Sequence, residues 1–134
     1  MSPWISPLNI MTKTPSRILI VEDERPIAKA LALKFEHNGF NVKNAYDGRE
    51  ALSVLEEETF DVIIMDLIMP HMDGFKVMEE LKKRDFKTPV FILTNLSQDD
   101  DKQKLAQLGA HEFFIKSNIS IKEIVGQVEK FLGK

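Results

Sequence analysis

Several short apolar runs in this 134-residue chain each end on a residue that could do chemistry. Ile18-Leu19-Ile20-Val21 leads into Glu22-Asp23-Glu24, and Val62-Ile63-Ile64-Met65 leads into Asp66. Val90-Phe91-Ile92-Leu93 ends on Thr94, and Phe113-Phe114-Ile115 ends on Lys116. Each residue alone has an ordinary explanation. Acids after a strand often cap the next helix, a threonine there is commonplace, and a lysine is usually solvated. Together they form a coherent chemical set. Carboxylates held side by side repel, and a hard divalent cation such as Mg²⁺, which takes a few carboxylates plus waters, relieves that repulsion. A carboxylate can also attack a phosphoryl group and form an aspartyl-phosphate. A cation, an ammonium and a hydroxyl can then stabilise the charge on the transferring oxygens.

Other chemistries find little support. The chain has no cysteine, which removes disulfides, thiolate metal sites and a Cys nucleophile, and which fits a reducing, cytoplasmic setting. There is no P-loop pattern and no GxGxxG, and His37, His71 and His111 are scattered. A net charge of -3 lacks the positive field expected of a protein that binds nucleic acid directly. No apolar run approaches the roughly 20 residues needed to cross a bilayer, so no membrane association is expected. Met1 to Ser16 lack a basic start, and Pro3 and Pro7 interrupt the apolar stretch, so they do not read as a signal peptide.

For the chemical residues to meet, the elements carrying them must share one sheet edge. The length suits a single domain. Residues 1–16 have no clear period and are expected to be a flexible or loosely docked extension, with 17–134 forming the domain. Ile18–Val21 reads as a strand buried on both faces. Pro26 suits a first helical turn, Ile27, Leu31 and Phe35 supply an apolar stripe, and Asn38-Gly39 ends that helix. Phe40–Ala45 is a weaker second strand. Asp47 with Glu50 forms a capping box before Ala51, Leu52 and Leu55. Asp61–Asp66 is a third strand, and Phe75, Met78 and Leu81 mark a helix after the Asp73-Gly74 turn. Pro89–Thr94 is a fourth strand, with proline at a permitted first position. Ser97 is a good N-cap ahead of Asp99, Asp100 and Asp101, which suit a first turn better than a metal site; Leu105 and Leu108 face inward and Gly109 stops the helix. Glu112–Lys116 is the fifth strand. Ser120 and Glu123 form another capping box before Ile121, Ile124, Val125, Val128 and Leu132. Strands alternating with helices predict an α/β fold, a parallel sheet covered on both faces. Right-handed crossovers leave a few doubly wound orders, and function is expected beyond the carboxyl ends of the strands.

Over about residues 17 to 132 the chain resembles the receiver domain of response regulators, the aspartate-phosphorylated partners of histidine kinases in two-component signalling. The residues carrying the resemblance are ILIVEDE at the first strand, the run ending in Asp66, Met69-Pro70 and Asp73-Gly74, Leu93-Thr94, and Lys116. The resemblance implies a flavodoxin-like (βα)5 fold, a doubly wound five-stranded parallel sheet of order 2-1-3-4-5. It implies Asp66 as phospho-acceptor, with Mg²⁺ held by Asp23, Asp66, the Ile68 backbone carbonyl and, through water, Glu22. It also implies that Thr94 and Lys116 approach the phosphoryl group and that Thr94 and Phe113 act as the switch, although Phe113 also suits a plain core aromatic. The donor would be a histidine kinase or a histidine phosphotransfer protein. The output partner would be a protein bound at the face of helix 4, strand 5 and helix 5. The chain would then be a stand-alone phosphorelay regulator, monomeric or transiently dimeric. It would not be an enzyme in the ordinary sense, catalysing only its own phosphorylation and dephosphorylation.

Three departures from that pattern stand out. Ser117 follows Lys116 where the family usually has a proline with a cis bond, so a trans bond is expected, because cis before a non-proline costs ~3 kcal/mol. Asn95 follows Thr94 where a small residue is usual, and the Asp66–Thr94 segment is slightly short. Two other functions share part of this chemistry. A phosphohydrolase of the haloacid dehalogenase type wants a second acid two residues after the nucleophile, where this chain has Ile68. A flavodoxin-like flavin module wants a Ser/Thr/Gly-rich loop after the first strand, where this chain has three acids.

Overall fold

The computed structural model describes residues 15–96 and 98–134. Five strands, β1 (Arg17–Val21), β2 (Asn41–Ala45), β3 (Val62–Met65), β4 (Val90–Thr94) and β5 (Glu112–Ile115), form one parallel sheet of order β2-β1-β3-β4-β5. Five helices alternate with them: α1 (Arg25–His37), α2 (Gly48–Glu57), α3 (Gly74–Lys83), α4 (Asp99–Gln107) and α5 (Ile121–Phe131). This is the flavodoxin-like order that the resemblance implied.

The apolar runs are continuous because the central strands are covered on both sides. Successive side chains alternate faces. Leu19, Val21, Ile63, Met65, Val90 and Ile92 pack with Ala51, Leu55, Val77, Leu81 and Leu105 beneath α2, α3 and α4. Ile18, Ile20, Val62, Ile64, Phe91 and Leu93 pack with Leu31, Phe35, Ile124, Val125 and Val128 beneath α1 and α5. Each such side chain contributes about 1.5–3 kcal/mol when fully buried. Two cores thus clamp the sheet and leave its carboxyl edge fixed for chemistry.

Local signals explain most boundaries. Ser120 accepts from the Glu123 N–H at 3.1 Å while Glu123 accepts from the Ser120 N–H at 3.1 Å, closing the box that opens α5. At α2 the box closes differently. Asp47 accepts from the Glu50 N–H at 2.8 Å, but the Glu50 carboxylate turns to the N–H of Tyr46, at 2.8 Å. The expected stripe on α1 is shifted: Ala28, Leu31 and Phe35 are its buried residues, and Ile27 only flanks them.

Five strand ends fall inside the expected limits. Phe40 is not in β2, because its N–H bonds to the Phe35 carbonyl at 3.0 Å and its ring meets Phe35 edge-on. Gly39, at φ 93°, makes that reversal. Asp61 and Asp66 flank β3, and Asp61 accepts from the Arg17 N–H at 2.7 Å. Pro89 precedes β4 and accepts from the Ile63 N–H at 3.0 Å through its carbonyl. Lys116 lies just past β5 and opens a 3₁₀ turn, Lys116–Asn118. Gln98 stands at the N-cap of α4 without a side-chain cap bond; Ser97, and residues 1–14 of the expected extension, lie outside the described residues.

Candidate functional site

The parallel register decides which chain ends meet. Val21 pairs with Met65, so Glu22 and Asp66 leave neighbouring strands at the same level. Thr94 pairs with Ile115, so Lys116 leaves one residue beyond Thr94. The Asp66 N–H still bonds to the Val21 carbonyl, at 3.0 Å, which fixes the acceptor loop against β1. Gly74 fixes its other side. The Gly74 N–H donates to the Leu67 carbonyl at 2.8 Å, and a Cβ there would stand 2.5 Å from the Asp66 carbonyl oxygen.

The side chains converge on one ammonium. Lys116 Nζ donates to Asp66 Oδ2 at 2.8 Å and to Glu24 Oε2 at 2.7 Å. It also lies 2.7 Å from Glu22 Oε1, but this contact is poorly aligned, and Oε1 has no well-formed hydrogen bond of its own. The other oxygens are pinned by backbone. Glu22 Oε2 accepts from the Glu24 N–H at 3.0 Å, and Asp66 Oδ1 accepts from the Leu67 N–H at 2.7 Å and, more weakly, from the Ile68 N–H at 3.4 Å. Thr94 is fully buried, and its hydroxyl oxygen accepts a long 3.4 Å bond from the Leu96 N–H.

Electrostatics follow from this crowding. Burial pushes the Glu22 carboxyl above the usual range, and the neighbouring Asp66 charge adds to the shift; the Lys116 contact and the Glu24 N–H hydrogen bond oppose it without cancelling it. Burial pulls the Lys116 ammonium down, but its close contacts with Asp66, Glu22 and Glu24 outweigh that and hold it above the ordinary lysine range. Lys116 therefore stays charged, and its charge is divided among three acids. Glu22, Asp23 and Asp66 each place one oxygen so that all lie within 4.8 Å of one another. The donor set is all oxygen, and the Glu22 Oε1 atom is buried and underused. Both observations fit a hard divalent cation.

Asp23, Glu24, Asp66, Ile68, Thr94, Asn95 and Lys116 line an open cleft of about 300 Å³. A cavity of about 160 Å³ between α3 and α4, lined by Met78, Phe86 and Leu108, lies at the amino end of β4, away from these groups.

The structure thus brings together Glu22, Asp23, Asp66, Ile68, Thr94 and Lys116. Phe113 stands apart. It is half-buried against the α4 side of the sheet, where it lines a shallow cavity beside Leu105 and Ala106, with the Lys102 ammonium 5.6 Å from its ring centre. The Lys116–Ser117 bond is trans. Two contacts were not read from sequence. Glu24, the third acid of its run, is a full partner of Lys116. Asn95 reaches across 22 residues to accept from the Ser117 N–H at 3.1 Å.

A family model for the response regulator receiver domain matches residues 18–129. The chain belongs to that family. It is 36% identical over 127 residues to the "Probable transcriptional regulator ycf27" of Guillardia theta, across 95% of this chain and 49% of that protein. The chain thus spans about half the length of this curated relative. Among solved structures, the Francisella response regulator 1452 receiver domain is 33% identical, with a TM-score of 0.80 over 86% of this chain and 94% of that one. The chemotaxis protein CheY4 of Vibrio cholerae is 28% identical, with a TM-score of 0.79 over 87% of this chain and 98% of that one. Receiver domains of this family serve two-component systems, work with histidine kinases and output partners, and generally bind Mg²⁺. The receiver domain described here has no helix long and apolar enough to cross a membrane among its described residues.

Proposed function

We propose that this receiver domain, residues 17–134, takes a phosphoryl group onto Asp66 from a histidine kinase or a histidine phosphotransfer protein and then changes its affinity for a protein partner. The observation that carries the reading is the position of Asp66. One of its oxygens faces the open cleft and the Lys116 ammonium, while backbone N–H groups hold the other. In the transfer, a bond forms between an Asp66 carboxylate oxygen and phosphorus. The bond from phosphorus to the donor's imidazole nitrogen breaks, and the imidazole leaves with a proton from solvent.

Lys116 is already beside the acceptor and would follow the incoming oxygens, giving up Glu24 as it does so. The Thr94 hydroxyl, whose hydrogen bond among the described residues is the long one from the Leu96 N–H, would turn toward the same oxygens. Glu22, Asp23 and Asp66, with the Ile68 carbonyl, would hold Mg²⁺, whose charge offsets the carboxylates and stabilises the phosphoryl oxygens. The face of α4, β5 and α5 would carry the output, with Thr94 and Phe113 linking it to the site. The domain would act only on its own carboxylate and not turn over a substrate.

Intact-mass measurement after incubation with acetyl phosphate tests this. The expected result is one added phosphoryl group when Mg²⁺ is present and none after chelation or in Asp66→Asn. Equal labelling of Asp66→Asn would overturn the acceptor assignment.

A further inference from the structure

Asn95 and Ser117 depart separately from the family pattern, yet the fold joins them. Lys116 opens a 3₁₀ turn, and the N–H groups at the start of such a turn have no partner within it. The Ser117 N–H finds one in Asn95 Oδ1, at 3.1 Å. On the other side of Lys116, Ile115 is paired in the ladder with Thr94. The backbone flanking Lys116 is therefore tied on both sides to two consecutive residues of the β4 end. A proline at 117 has no N–H, so this tie exists only because residue 117 is not proline. The Lys116 side chain needs such a tie, since its ammonium must reach three acids carried by β1 and β3.

We propose that Asn95 is a positioning residue for Lys116: its side chain holds the Lys116–Asn118 turn where the ammonium meets Asp66. The inference rests on the phosphorylation reading above and adds a residue to it. Asn95 directly follows Thr94, so a Thr94 hydroxyl that turns toward a phosphoryl group pulls on the same tie. The two groups meant to approach the phosphoryl oxygens are thereby linked through one side-chain hydrogen bond.

Two readouts test it, one of them independent of phosphorylation. In the unmodified protein, Asn95→Ala should speed amide exchange at Ser117 by about three- to ten-fold, the range one ordinary hydrogen bond supplies. Asn95→Asp keeps the acceptor oxygen and should retain most of the protection. Unchanged exchange in Asn95→Ala overturns the tie. With acetyl phosphate, Asn95→Ala should lower the maximal rate of mass gain by a similar factor while leaving the half-saturating Mg²⁺ concentration in place, because the acids are untouched. In a Lys116→Met background the Asn95→Ala effect should vanish. If it persists, Asn95 does not act through Lys116. If the parent protein does not label at all, the acceptor reading fails, and exchange at Ser117 still decides whether Asn95 holds the turn.

Discussion

Gly74→Ala separates two physical effects of opposite sign. Gly74 is the first residue of α3 and has no positive φ, so helix propensity alone favours alanine by at most about 1 kcal/mol, the helix-interior value. The new Cβ would stand 2.5 Å from the Asp66 carbonyl oxygen and 2.9 Å from Leu67 Cα, where ordinary contact begins at 3.4 Å, so something must move by about 0.9 Å. The obstacles are backbone atoms, and they cannot swing aside as a flexible side chain would. Forced overpacking of this kind typically costs about 1–3 kcal/mol. Set against the propensity gain, this leaves a net loss of up to about 2 kcal/mol, seen as a fall in Tm of up to about 10 °C. The segment that must move also carries the acceptor, and a shift near 1 Å at a reacting group can cost up to ~100-fold in rate. Labelling by acetyl phosphate should therefore slow at least ~10-fold. Calorimetry and timed intact-mass spectra measure the two effects. A variant that melts at or above the parental temperature and labels at the parental rate would refute the steric reasoning.

Other expected outcomes follow from the same contacts. Lys116→Met strands Glu22, Glu24 and Asp66 without their shared cation and should cost about 2–4 kcal/mol by denaturant titration, with Mg²⁺ restoring part of the loss; parental stability in metal-free buffer would contradict the shared-charge picture. Ser120→Ala opens the capping box of α5 and should lower stability by about 1 kcal/mol, so an unchanged Tm would show that the cap is idle. Hydrogen bonds from Lys43 and Arg17 hold Glu58 below the usual carboxylate range, as Lys83 does for Glu80 and the Ser120 backbone N–H for Glu123. Their folded-state values lie below the unfolded ones, so their stabilisation is present above pH ~4.5 and disappears as pH falls through the folded-state values. Tm measured against pH should decline on that acid side, and Glu58→Gln should make the decline shallower.

The strands were legible because burial on both faces demands continuous apolar runs, and the chemical residues were legible because each closes such a run. The order of the sheet came from the family resemblance, since right-handed crossovers alone leave several doubly wound orders open. What escaped were contacts that depend on side-chain reach rather than on local pattern. Glu24 lies 92 residues from Lys116, and nothing near either residue announces the pair. Asn95 and Ser117 were visible only as two separate oddities. The Asp47–Glu50 spacing signalled a helix start correctly but not that Glu50 would choose the Tyr46 N–H, a choice set by how the chain enters from β2. The half-open seat of Phe113 was equally hidden, because it depends on the gap left beside α4.

That gap reflects how lightly α4 is fastened. Leu105 is its only fully buried side chain, whereas α1 and α5 each bury three residues and α2 and α3 four. Elsewhere α4 presents Asp99, Asp100, Asp101 and Lys102, and it lays Lys102 and Lys104 along the rings of Phe113 and Phe75. Substitutions on such a surface usually change stability by no more than about 0.5 kcal/mol. Sequence drift along the outward side of α4 is therefore nearly free of folding constraint. Related domains can diverge there in charge pattern while the acids and the lysine at the strand ends stay the same.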